Sequence, residues 1–191
     1  MRLAAAAFAL ALNTAACGAE IEGVKLPKHV RLGADGTALV LNGAGVRVRF
    51  IFKVYVAALY LTARTEDGEA ILRGEEPKRF FLQVLRDLSA EQINSSIKDV
   101  LEETLTSEER QPLEARMARF RAIFDTLREV REGTQITLDY LPLAGTIVSI
   151  NAEEKDRIPG GDFNQALLRV WLGDRPRDPD LRKALLGISA K

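Results

Sequence analysis

The fold of this chain is decided by residues 42–61, which read Asn42-Gly43-Ala44-Gly45-Val46-Arg47-Val48-Arg49-Phe50-Ile51-Phe52-Lys53-Val54-Tyr55-Val56-Ala57-Ala58-Leu59-Tyr60-Leu61. The glycines at the start indicate a turn at Asn42–Gly43. The residues after them are rich in β-branched and aromatic side chains, which favour extended backbone. Apolar and basic residues alternate in the first part of the run, as is typical of a strand with one face in a core. The pattern predicts one long strand.

Four residues of this predicted strand have side chains suited to an anionic ligand: Arg47, Arg49, Lys53 and Tyr55. All four have odd numbers, so alternation places them on one face. Arginine can bind a carboxylate through two parallel hydrogen bonds, and a tyrosine hydroxyl can donate another. On a straight strand Arg47 and Tyr55 would lie roughly 26 Å apart. A shared anion site therefore requires a bend or a bulge, and the same pattern also fits a solvated sheet face.

The composition narrows the class of protein. The chain has 191 residues, and its 27 basic side chains balance its 27 acidic ones. This balance gives no general attraction to nucleic acid, and the length predicts one domain. Cys17 is the only cysteine and His29 the only histidine, so neither an intramolecular disulfide nor a thiolate metal site can form within the chain. We expect no metal and no nucleotide cofactor.

Residues 1–19 have the form of a secretory signal peptide. Arg2 supplies the positive charge, residues 3–12 form a short apolar segment, and small residues follow up to residue 19. We expect cleavage before Glu20, which leaves residues 20–191 as an exported domain, periplasmic in a bacterium with two membranes. The alternative is lipoprotein processing at Cys17. No later run is long enough to span a membrane.

The remaining pattern predicts an α+β domain. Short strands at residues 24–26, 30–32 and 38–41 precede the long strand, and a hairpin is expected within residues 134–150. Polar residues in capping positions predict the starts of four helices, at Ser89, Thr106, Asp162 and Asp178. The order of these elements predicts one large antiparallel sheet backed by a helical layer.

Several segments resemble the chalcone isomerase family, in particular its bacterial chalcone isomerase-like branch. They are Asn-Gly-Ala-Gly-Val-Arg at 42–47, Phe-Lys-Val-Tyr-Val-Ala-Ala-Leu-Tyr-Leu at 52–61, Ile-Pro-Gly-Gly-Asp-Phe-Asn at 158–164 and Ala-Leu-Leu-Arg-Val-Trp-Leu-Gly-Asp at 166–174. The resemblance extends over nearly the whole mature chain, including its ending at residues 181–187. It implies an open-faced β-sandwich with a ligand cleft between sheet and helices.

The resemblance also implies candidate residues. Plant members of the family cyclise chalcones to flavanones, whereas related members hold a fatty acid with an arginine and a tyrosine on its carboxylate. The family arginine maps onto Arg47, and a threonine of the enzymes maps onto Tyr55. The enzymes' Tyr-x-x-Lys-x-x-x-Asn motif is absent from residues 88–96, and their late Ser/Thr position is Val170. The pair Arg47 and Tyr55 is therefore similar to the fatty-acid-binding branch.

These implications lead to one expected function and two alternatives. We expect a protein that binds a fatty acid or another small amphipathic or aromatic acid, with Arg47 and Tyr55 on the head group and Lys53 and Arg49 as secondary contacts. The first alternative is an intramolecular lyase or isomerase that cyclises a phenolic enone, with Arg47 and Tyr55 as catalytic residues. The second is an interaction protein of the envelope. Neither the oligomeric state nor a protein partner follows from the sequence.

Overall fold

The computed structural model describes residues 17–33, 35–127, 129–174 and 176–188, so residues 1–16 of the predicted signal peptide lie outside the described residues. The strands are β1 (Cys17–Ile21), β2 (Val24–Pro27), β3 (His29–Leu32), β4 (Thr37–Arg49), β5 (Phe52–Leu61), β6 (Lys78–Val84), β7 (Leu88–Ser89), β8 (Glu129–Val130), β9 (Gln135–Leu141), β10 (Gly145–Ile150) and β11 (Glu153–Ile158). The helices are α1 (Gly68–Arg73), α2 (Ala90–Thr104), α3 (Ser107–Arg110), α4 (Glu114–Asp125), α5 (Gly161–Leu172) and α6 (Pro179–Leu185).

A seven-stranded antiparallel sheet in the order β11-β10-β9-β6-β5-β4-β3 forms the centre of the domain. Two separate apolar cores lie on its two faces, and alternate side chains of β5 enter one or the other. The larger core lies between the sheet and the helices, and the smaller lies under the β1–β2 hairpin on the opposite face. This arrangement confirms the expected α+β fold, an open-faced sandwich with an antiparallel sheet and a helical layer. Among the described residues, no helix combines the length and apolar character needed to cross a bilayer.

The prediction of one long strand over residues 46–61 was wrong. The chain reverses at Phe50 and Ile51, and the residues on either side belong to β4 and β5, which pair with each other. Sequence patterns miss this turn because it contains none of the usual turn residues, and Phe50 adopts a positive φ of 57°. The reversal brings together residues that a single strand would have kept far apart.

The predicted turn at Asn42–Gly43 was also wrong, since both residues lie inside β4. Asn42 is the extra residue of a β-bulge, and its side-chain amide donates to the Leu185 carbonyl at 2.9 Å. A Cβ added at Gly43 would lie 2.1 Å from the Ala184 carbonyl oxygen. The glycine is therefore required for close packing of α6 against β4, and not for a turn.

Helix capping was predicted well where the signal is local. Ser89 and Thr106 each form a complete capping box, and Asp178 caps α6 by accepting a hydrogen bond from the Leu181 amide. The predicted cap at Asp162 was wrong, because the cap position is Gly160, two residues earlier, and α5 begins at Gly161. Asp162 lies in the first turn and instead forms a bidentate ion pair with Arg116.

Candidate ligand-binding cleft

A cleft of about 550 Å³ lies between the sheet and the helices. Its floor is formed by β4, β5, β6 and β9, and its other walls come from α2, α4 and α5. Its volume is within the range of pockets that hold small ligands, roughly 300–1,000 Å³. The cleft is the gap in the larger core where sheet and helical layer are not in direct contact.

The two ends of the cleft differ in character. At the end formed by β9 and α4, its walls are apolar and include Phe120, Phe124, Ile136 and Leu138. At the end formed by β4, they include Arg47, Arg49, Tyr55 and Arg177. Because β5 and β6 separate β4 from β9, the distance between the two ends is roughly 14 Å at about 4.8 Å per strand step. The cleft therefore suits a ligand with one anionic end and one apolar end.

Arg47 and Tyr55 are directly opposite each other in the β4–β5 ladder. The next pair is Val48 with Lys53, so Val54 is an extra residue on β5 and forms a β-bulge. The bulge turns Lys53 away from the cleft, to the other side of the sheet, where its ammonium bonds Glu22 Oε2 at 2.7 Å. The structure thus brings Arg47 and Tyr55 together and separates Lys53 from them.

Arg47 is held by the N-terminus of α6. Its Nη1 donates to Asp178 Oδ2 at 2.9 Å and to the Arg177 carbonyl at 3.4 Å. Burial alone would raise the pKa of Asp178, but hydrogen bonds from the Leu181 amide and Arg47 outweigh it and hold that pKa below its usual value. All hydrogen bonds between Arg47's side chain and the described residues pass through Nη1. Its Nε and Nη2 donors therefore remain for a ligand.

Tyr55 is positioned by Trp171, whose Nε1 donates to the tyrosine Oη at 2.8 Å. The indole ring also stacks on Phe80 with ring centroids 4.2 Å apart. Burial raises the pKa of the Tyr55 phenol, although the hydrogen bond from Trp171 and the charge of Arg47 act in the opposite direction. The phenol therefore keeps its proton at neutral pH and can donate it in a hydrogen bond.

Among the described residues, three further arginines line the cleft. Arg177 is paired with Glu103, whereas Arg49 and Arg86 have no carboxylate within 4.0 Å among the described residues. Arg49 was singled out by its place near Arg47, but Arg86 and Arg177 were missed because they come from distant parts of the chain. No local sequence signal marks either of them; only the fold brings them to the same cleft.

The comparisons with known proteins agree with this architecture. A family model described as "Chalcone isomerase-like" matches residues 18–187, and the chain belongs to this family. The crystal structure of a fatty-acid binding protein from Arabidopsis thaliana is similar, with a TM-score of 0.66 and 14% sequence identity. That match covers 86% of this chain and 92% of the plant protein, and at this identity it shows a shared fold. Comparison with curated protein sequences found no significant match.

Proposed function

We propose that this protein binds a fatty acid or another small amphipathic carboxylic acid in the cleft, without chemical turnover. The observation that carries the proposal is the lining of the cleft: four arginines at its polar side, an apolar far end, and no carboxylate among the described lining residues. Such a site favours a ligand with one negative charge and an apolar body. The likeness to a plant fatty-acid binding protein supports the same ligand class.

The head group is proposed to bind between Arg47 and Tyr55. The Nε and Nη2 donors of Arg47 bond no described residue, and the protonated Tyr55 phenol supplies another donor. Asp178 already neutralises part of the Arg47 charge, so Arg49 would add attraction from the cleft mouth. Lys53 has no part in this proposal, because it bonds Glu22 away from the cleft.

The tail is proposed to lie across β5 and β6, toward Phe120 and Phe124. Each methylene group that leaves water for this end would contribute about 0.8 kcal/mol. Affinity should therefore rise with chain length until the apolar end is filled. A short carboxylic acid with the same head group would bind weakly.

The chemistry of the lining supports the proposal of binding without turnover. The described lining residues include no histidine, lysine, cysteine, aspartate or glutamate, so no side chain among them titrates near neutral pH. Tyr55 has a raised pKa and is a poor base. Val170, at the position where the related enzymes carry a hydroxyl, also lines the cleft and offers no hydrogen bond.

Export is part of the proposal and rests on the sequence of residues 1–19. Cleavage before Glu20 would remove three of the five residues of β1, whereas processing at Cys17 would keep the strand whole. Glu20 and Ile21 would retain their pairing with Lys25 and Val24 in either case. The mass of the mature protein distinguishes the two, because lipidation at Cys17 adds acyl chains and leaves a longer chain.

Trp171 provides the test, because it is the only tryptophan and lines the cleft. We would titrate the protein with a long-chain fatty acid and with the alcohol of equal length, and follow Trp171 fluorescence. The acid should bind at least about tenfold more tightly, since charge-assisted hydrogen bonds need the carboxylate. Equal affinities would contradict the proposed head-group site.

The variants Arg47→Gln and Tyr55→Phe should each weaken acid binding and leave alcohol binding nearly unchanged. Lys53→Gln is the matched control, since it removes a nearby charge outside the cleft and should have no effect. Circular dichroism would verify that each variant folds. Turnover of a hydroxychalcone above the solution rate, lost in Arg47→Gln, would instead favour the isomerase alternative.

A further inference from the structure

The turn between β4 and β5 carries an apolar tip, formed by Val48, Phe50, Ile51 and Phe52. Phe50 and Ile51 are 87% and 85% exposed, and the other two are about half exposed. Among the described residues, Leu143 is the only other large apolar side chain that is exposed to this degree. A contiguous apolar group on a domain surface generally marks a contact site.

The backbone geometry of the β4–β5 turn does not favour a bulky apolar residue at Phe50. Phe50 has a φ of 57°, a conformation that glycine, asparagine or aspartate adopts readily and that is strained for a bulky side chain. Burial within the domain does not compensate for this strain, because Phe50 and Ile51 point into solvent. A favourable contact outside the chain would compensate for it.

Basic side chains surround the tip. The guanidinium of Arg49 lies 5.9 Å from the Phe50 ring centroid, and that of Arg86 lies 4.8 Å from the Phe52 centroid. Neither arginine has a carboxylate within 4.0 Å among the described residues, as noted above. Lys53 is the third basic group and forms an ion pair with Glu22. Asp87 follows Arg86 in the chain and accepts a hydrogen bond from the Glu132 amide.

Apolar side chains framed by cations are what an anionic lipid surface accommodates. The apolar groups enter the boundary of the acyl layer, and the cations remain at the level of the lipid phosphates. A second copy of this chain is a poorer occupant of the tip, because a symmetric contact would bring like-charged arginines together. Charge complementarity therefore favours an anionic lipid surface over a second copy of the chain as the partner of the tip.

We infer that the apolar tip inserts into anionic lipid surfaces, with Arg49 and Arg86 on the phosphates. Arg49, Phe50, Phe52 and Arg86 also line the mouth of the cleft, so insertion would set this mouth against the lipid. Amphipathic molecules of the lipid layer could then enter the cleft without crossing water. The inference on the tip stands independently of the ligand proposed for the cleft.

The test is cosedimentation of the protein, as recovered from the cells that express it, with lipid vesicles. Vesicles of phosphatidylcholine alone are compared with vesicles that also contain phosphatidylglycerol, at low and at high ionic strength. The parent should bind the phosphatidylglycerol vesicles, and high ionic strength should weaken this binding. The double variant Phe50→Asn with Ile51→Ser should bind at least about tenfold more weakly, since asparagine tolerates the turn and both apolar anchors are removed.

Two matched controls separate the tip from general surface effects. Leu143→Ser removes an equally exposed apolar residue from another hairpin turn, and Arg131→Gln removes a strongly exposed arginine elsewhere. Both should bind as the parent does, whereas Arg49→Gln with Arg86→Gln should lose the preference for phosphatidylglycerol.

Three results would overturn the inference: no vesicle binding by the parent, equal losses in the tip variant and the Leu143→Ser control, or a parent dimer that only the tip variant dissociates. Acid binding measured by Trp171 fluorescence without vesicles is a separate readout. A parent that binds acid in solution but no vesicle would refute the tip inference and leave the proposed function intact. A parent that binds vesicles but binds no acid in solution would refute the proposed function and leave the tip inference intact.

Discussion

The two ends of the β4–β5 hairpin have opposite properties, although the same pair of strands forms both. At one end, which we call the packed end, α6 lies along β4, and Ala57, Ala58 and Leu59 are completely buried. At the other end the strands continue past the helix and finish in the exposed apolar tip. Asp178, the cap of α6, lies opposite Arg47 and marks the boundary. The comparison teaches that the cleft lies where β4 and β5 extend beyond α6, between the sheet and helices α2, α4 and α5.

Among the positions compared, Gly43 at the packed end should be the one where a substitution lowers stability most. In Gly43→Ala, the added Cβ would lie 2.1 Å from the Ala184 carbonyl and 2.6 Å from that of Leu185, and backbone atoms cannot move aside as a side chain can. We expect unfolding to become easier by about 3 kcal/mol or more, measured by urea denaturation. Val48→Ala, in the tip, is the control and should change stability little. Equal losses at both positions would remove the distinction between the ends.

Buried polar groups at the packed end should also be costly to remove. Lys78 pairs with Leu61 across the sheet, and its ammonium donates to the carbonyls of Ile71 and Gly74 at the end of α1. Lys78→Met would leave these carbonyls without this donor, and we expect a loss of about 2 kcal/mol at neutral pH. Lys98→Met, on the exposed side of α2, should cost far less.

The pH dependence of stability provides a second check on Lys78. Burial lowers the pKa of Lys78 to about 8, although Glu76 and Glu75 act in the opposite direction. Between this value and the ordinary lysine pKa, the unfolded chain binds more protons than the folded chain, so this group makes the protein more stable as the pH rises through that window. The stability difference between parent and Lys78→Met should grow over the same window. A constant difference would show that the buried amine does not titrate there.

Substitution of Asp178, at the boundary between the ends, should have a smaller effect: a loss of stability together with a gain in ligand affinity. Asp178→Asn keeps a residue that can cap α6 but removes the ion pair with Arg47. We expect a stability loss of about 1 kcal/mol or less, because the pair is partly open to solvent. The lowered pKa of Asp178 means that this loss is full above about pH 4 and disappears as the pH falls through the folded-state pKa. Fatty-acid affinity should rise, since Arg47 is released; an unchanged affinity would argue against Arg47 as the head-group contact.

A substitution in the tip should have the smallest effect on stability, and any change should stabilise the protein rather than destabilise it. Phe50→Asn replaces a strained bulky residue by one that adopts positive φ readily, so the protein should be as stable as the parent or more stable by up to about 1 kcal/mol. Thermal unfolding measures the change. A clear loss of stability would mean that the Phe50 ring contributes to packing, and the contrast with the packed end would fail.

Local signals in the sequence predicted the helix starts at Ser89, Thr106 and Asp178, because a cap and the amides it accepts from lie within one turn of each other. The same kind of reasoning failed at Phe50, where β4–β5 pairing imposes a turn that the residues themselves disfavour. It also misread Gly43, whose role depends on a helix more than a hundred residues later in the chain. Sequence reasoning therefore missed the features that depend on residues distant in the chain.

The sequence by itself determined the class of fold and singled out Arg47 and Tyr55, which line the cleft, since alternation, caps and family motifs are carried by neighbouring residues. Only the tertiary structure decided how Arg47 and Tyr55 relate: a hairpin turn and one extra residue at Val54 make them cross-strand neighbours and turn Lys53 away. It also decided that Trp171 and Asp178 orient them. These contacts join residues more than a hundred positions apart, and chain packing, rather than local preference, sets such distances.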